Sequence, residues 1–121
     1  MNNPSIQSIS EQTVERKDYF LAPERLVEGN PQLSLWEHYT DASGNFSVGI
    51  WQGEVGVWNI AYKKDEYCEI LEGHSVLTDA SGLERTVVKG DRFVIPKGFT
   101  GTWRVIETTK KIYASYEPRS N

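Results

Sequence analysis

An all-β sandwich or barrel is the fold class that this 121-residue chain predicts. Short apolar runs alternating with polar residues, turn clusters at regular intervals and the lack of a helical period after residue 30 carry that prediction. Residues 1–18 are polar and aperiodic and read as an arm. The chain stays partly irregular to residue 30, with Pro23, Gly29 and then Pro31 as breaks. A short strand is expected at Leu33–His38, closed by the turn cluster DASGN at 41–45. FSVGIW then alternates Phe46, Val48 and Ile50 with smaller partners, and VWNIAY alternates Trp58, Ile60 and Tyr62 with Asn59 and Ala61. YCEIL, HSVLT, ERTVV, RFVIP, TWRVIE and KIYASYE follow as separate strands, divided by Gly73, the DASG turn at 79–82, KGD, KGF and TTK. Pro96 ends its strand, where a missing N–H is tolerated. Gly82, Gly90 and Gly98 read as turn glycines and Asp91 as a turn residue. The length suits one domain, with an N-terminal arm over 1–30 and a barrel over 31–121.

Composition narrows the function classes. Thirteen basic and seventeen acidic residues give a net charge of −4, so the chain lacks the basic footprint of a nucleic-acid binder. No apolar run approaches the roughly 20 residues that a membrane-spanning helix needs, and MNNPSIQSIS has neither the basic nor the apolar region of a secretory signal. A single cysteine rules out an internal disulfide and fits a reducing compartment, so a cytoplasmic location is expected. There is no phosphate-binding glycine loop. A small-molecule ligand remains as the expected partner.

The segments DEYCEILEG, GDRFVIPKGFTGTWRV and KKIYASYE resemble the RmlC-like cupin superfamily of small jelly-roll β-barrels. More narrowly, they are similar to the small cupins related to the (S)-ureidoglycine aminohydrolase cupin domain, with the best match over residues 46–116. The resemblance implies a double-stranded β-helix and, in most relatives, a metal held by histidines and an acid of two motifs. Glu66 and Gly73 stand where the first motif has its acid and its glycine. The motif's two histidine places fall on Ile60 and Tyr62, and that of the second motif falls on Gly101. With all three imidazoles missing, no metal and no cofactor are expected, because one carboxylate alone is a poor seat for a divalent transition ion. A site improvised from Glu66, Cys68 and a displaced histidine is the alternative. His38 and His74 lie outside the motif positions and read as surface residues.

If the motif positions point inward as in relatives, strand alternation turns Trp58, Ile60 and Tyr62 to the inner face. Glu66, Cys68 and Ile70 join them, as do Gly101, Trp103 and Val105. Tyr67, Glu69 and Leu71 then face outward. Trp58, Ile60, Tyr62, Glu66, Cys68 and Trp103 are thereby the expected pocket lining, apolar walls with a few polar groups, and Gly101 is expected to leave room among them. Packed solid, the same residues would be plain core. A buried Glu66 must pair with an Arg or Lys, rise in pKa, or touch something bound. Cys68 reads as a small apolar filler rather than a nucleophile. Trp51 and the N-terminal segment are read together as assisting a homodimer.

The expected function is metal-independent binding of a small polar metabolite in an aromatic-lined cavity. One alternative, implied by the resemblance, is an enzyme acting on a ureido, amino-acid or carboxylic substrate, with Glu66 as acid–base and Tyr62 assisting. The other is a non-catalytic structural or regulatory homodimer.

Overall fold

The structure is a computed structural model and describes residues 4–118. Among the described residues nine strands form one strongly curled sheet, consistent with the barrel that the pattern of short strands predicts and with the jelly roll that the resemblance implies. They are β1 (Lys17–Phe20), β2 (Leu26–Glu28), β3 (Gln32–Thr40), β4 (Phe46–Gly53), β5 (Gly56–Ala61), β6 (Asp65–Asp79), β7 (Glu84–Val88), β8 (Arg92–Ile95) and β9 (Thr100–Tyr116). A 3-10 turn, Pro23–Arg25, joins β1 to β2. No helix among the described residues is long and apolar enough to cross a membrane.

Two long strands hold the barrel together. β6 and β9 run antiparallel along their whole length, from Asp65 opposite Tyr116 to Asp79 opposite Gly101. On its other edge β9 carries β4 at one end and β5 at the other. β6 in turn carries β8 on Glu66–Glu69 and β7 on His74–Thr78. YCEIL and HSVLT are therefore one strand, and so are TWRVIE and KIYASYE. Gly73 acts as a bulge rather than a break. It takes a φ of +99°, and a Cβ there would strike the Thr108 carbonyl of β9, so only glycine meets both demands. TTK contains no glycine or proline, and two threonines favour an extended chain.

Residues 4–30 hold more regular structure than an irregular arm. β1 pairs with β3, and β2 pairs with β5. Ahead of β1, the backbone N–H and carbonyl of Ser10 lie 3.0 and 2.7 Å from the ring Nε2 of His38. Lys110 Nζ donates to Glu11 at 3.0 Å. His38 is thus a half-buried tether for the arm. His74 stands 3.9 Å from Glu107 on the outside.

Inside, Leu33, Trp51, Trp58, Ile60, Cys68, Ile70, Leu77, Val87, Phe93, Ile95, Trp103, Val105 and Tyr113 form one contiguous core. β4 departs from simple alternation. Trp51 faces the core, while Ile50 is buried on the other face opposite Trp36, where Arg16 and Lys110 cover the Trp36 ring.

Candidate functional site

The site grows from the register between β5, β9 and β4. Trp58 lies opposite Trp103, and Ile60 lies opposite Gly101. The two indoles stack with centroids 6.5 Å apart and planes 4° from parallel. Trp51 meets Trp103 edge-on at 5.4 Å. Lys111 sits in register between Trp51 of β4 and Ile70 of β6, so its stem runs inward among apolar neighbours. Its ammonium lies 5.0 Å from the Trp51 ring centre and 4.6 Å from that of Trp103, within cation–π range. A buried polar chain fixes Trp103. Its Nε1–H donates to Ser75 Oγ at 3.0 Å, and Ser75 shares a 2.7 Å hydrogen bond with Thr109.

Glu66, on β6, meets that ammonium. Lys111 Nζ donates to Glu66 Oε2 at 2.7 Å, and the two residues are only 4% and 5% exposed. The Tyr62 hydroxyl and the Cys68 thiol also donate to Oε2, each at 3.2 Å. Oε1 accepts no hydrogen bond among the described residues, and Lys64 Nζ stands off at 3.9 Å. Burial works against the charge of Glu66, but the Lys111 ammonium outweighs it and holds the carboxyl below its ordinary range. Burial likewise opposes the charge of Lys111, and its anionic partner Glu66 holds the ammonium's pKa above the ordinary lysine value. Of the states open to Glu66 in the sequence, pairing with a lysine is the one the geometry shows, with its pKa lowered rather than raised. Burial, reinforced by Glu66, pushes the Cys68 thiol up to about 12 and lifts Tyr62 above its ordinary range.

Above this pair opens a cavity of about 550 Å³. Trp58, Ile60, Tyr62, Glu66 and Trp103 all line it, and so do Trp51, Lys111 and Tyr113. Cys68 does not reach it, because its thiol lies behind the Glu66 carboxylate and is fully buried. Nor does Gly101 leave room there: a Cβ at that position would strike the Thr78 carbonyl, so the glycine serves close approach of β9 to β6. Trp51 points into the cavity rather than to an outer edge, and its Nε1–H donates to Tyr19 Oη of β1 at 3.1 Å. Tyr19, Leu21 and Arg25 of the N-terminal segment complete one wall, and Lys63 and Lys64 stand at another.

The model of the EutQ-like cupin domain matches residues 40–113, more than half of the chain. The protein belongs to that cupin family. Among solved structures, a DUF861 family protein from Thermotoga maritima is 38% identical, with 53% of this chain and 73% of that chain covered and a TM-score of 0.52. A DUF861 family protein of unknown function from Pseudomonas syringae pv. tomato aligns over 92% of this chain and 44% of its own, at 20% identity and a TM-score of 0.74. The EutQ protein of Clostridium difficile aligns over 73% of this chain and 64% of its own, at 18% identity and a TM-score of 0.65. The chain thus spans less than two thirds of the last two proteins. No curated protein matches it.

The cupin barrel raises the question of a metal ion, and the residues present do not fit one. Ile60, Tyr62 and Gly101 occupy the places where the resemblance implies imidazoles, and both histidines lie outside the cavity. Glu66 already carries an ammonium at 2.7 Å, and a divalent ion on the same oxygen would face that fixed positive charge. Cys68 lies behind the Glu66 carboxylate and does not reach the cavity. Among the described residues no three His, Cys, Asp or Glu side chains converge to hold an ion. Lys111 is the residue that motif reasoning misses: it lies in KKIYASYE, but the resemblance gives that segment no site residue. Alternation along an unbroken β9 would have found it, because Trp103, Val105, Thr109, Lys111, Tyr113 and Ser115 share one buried face.

Proposed function

We propose that this cupin binds a small polar metabolite in its barrel cavity without a metal ion. The observation that carries the proposal is the open cavity of about 550 Å³, lined by six aromatic and seven charged side chains among others, that ends on a buried ion pair. Ligand sites are commonly concave and apolar with a few placed polar groups, and a volume of this order holds a metabolite rather than a macromolecule. The floor offers one ammonium and one carboxylate, and the stacked Trp58 and Trp103 offer flat apolar walls.

An enzyme of the ureidoglycine aminohydrolase type is the second reading, favoured by the hydrogen bond between Tyr62 and Glu66. It ranks lower because a carboxylate held below its ordinary pKa is a weak base, and Tyr62, lifted above its own, is a weak acid at neutral pH.

A thermal-shift screen of small polar metabolites, run with a chelator present, tests the proposal. At least one compound should raise the unfolding midpoint, and Glu66→Gln should weaken its binding. If Glu66→Gln instead abolishes a turnover seen in the wild type, the enzyme reading takes its place. If no compound binds and Glu66→Gln changes only stability, the cavity is core and both readings fall.

A further inference from the structure

Resting on that proposal, we infer that Lys111 and Glu66 act together as a two-point reader of a neutral amide-type edge. The ligand's carbonyl would take an N–H of Lys111, and its neighbouring N–H would donate to Glu66 Oε1. The uneven use of the two carboxylate oxygens carries the inference. Oε2 receives Lys111, Tyr62 and Cys68, whereas Oε1 receives no hydrogen bond among the described residues, although Glu66 is 5% exposed. No buried side-chain oxygen among the described residues lacks a partner, so Oε1 opens onto the cavity, with Lys64 Nζ 3.9 Å away, and a ligand's donor can reach it. Lys111 shows the complementary shortfall. It has three N–H protons, but only one has an oxygen acceptor among the described residues. Its other neighbours are the sulfur of Cys68 and the faces of Trp51 and Trp103. Both residues line the same cavity, so an open donor and an open acceptor meet on its floor.

Charge decides the class of ligand that fits them. A carboxylate there would satisfy Lys111 but stand beside the Glu66 carboxylate. An amine cation would satisfy Glu66 but stand beside the ammonium. Either one repels half of the pair at short range, beside side chains that are themselves buried. A primary carboxamide, with its carbonyl and N–H on neighbouring atoms, suits both at once and leaves the pair neutral. Lys111 thereby supplies, as a tethered cation, the positive charge that an ion would bring to such a barrel.

The test is a panel of small primary carboxamides, each beside the carboxylate and the amine of the same skeleton, measured by ligand-detected NMR and calorimetry. The wild type should bind carboxamides about tenfold tighter than their carboxylate or amine counterparts, the worth of a charge-assisted hydrogen bond. A Lys111→Met/Glu66→Gln double variant removes both charges, so the fold survives, and it should lose both the binding and the preference. Preference for carboxylates would move recognition to Arg25, Lys63 and Lys64 and overturn the inference while binding in the cavity stands. Preference for amines, or carboxamide binding that survives in the double variant, would overturn it equally. If no member of the panel binds, the inference falls, and the metabolite screen decides whether the proposed function falls with it.

Discussion

Lys111 and Glu66 form the tightest ion pair on the inner face, and their burial makes each depend on the other. Removing one partner strands the other in a place poor in water. Lys111→Met alone should therefore cost about 3 kcal/mol or more, whereas the double variant with Glu66→Gln should recover most of that loss. Urea denaturation of the three proteins checks this, and equal stability of wild type and single variant would refute it. The pair also shapes the dependence on pH. The folded pKa of Glu66 is lowered, so its share of stability is full above the unfolded value of about 4.3 and is lost as pH falls through the lower folded value. The folded pKa of Lys111 is raised. Its share is full below the unfolded value of about 10.4 and is lost as pH rises through the higher folded value. Urea midpoints measured across pH should show a neutral plateau with both limbs flatter in the double variant. Glu66 was legible in the sequence because the motif resemblance marks its place. Lys111 was not, because a single inward lysine looks like any other surface lysine until the strand carrying it is known to be continuous.

At the scale of elements, alternation disclosed nearly every strand, because each buries one face. What it could not disclose was continuity. Gly73 looks like a strand break, yet its positive φ and the Thr108 carbonyl against it make it the bulge that lets β6 pass from β8 to β7. TTK looks like a turn only because it is polar. The partition into arm and barrel also concealed β1 and β2, three or four residues each and too short to show a period. Two glycines separate conformational cost from crowding. Gly82 has a φ of +91° with open space around it, and Gly73 has a φ of +99° with backbone where a Cβ would go. Gly82→Ala should cost about 1 kcal/mol, and Gly73→Ala should add an overpacking cost of about 1–3 kcal/mol. Thermal unfolding of the two variants tests the ranking, and equal losses would mean that β9 yields at Thr108.

For the whole molecule, the cupin barrel brings to one cavity residues that lie far apart in the chain: Tyr19 and Arg25 near its start, Trp51 and Trp58, Glu66, and Lys111 near its end. Of these only Glu66 stands at a motif position. Alternation made Trp58 readable as lining, whereas Trp51, read as an assembly residue, and the wall built by the N-terminal segment were not. The central claim is that an ammonium of the chain itself, and not an ion, sits on the acid of this barrel. Elemental analysis tests it most directly, on untagged protein incubated with manganese, iron, nickel, copper and zinc salts and then desalted. The account predicts metal far below stoichiometry in the wild type, whereas near-stoichiometric retention of any of these metals, lost in Glu66→Gln, would contradict it.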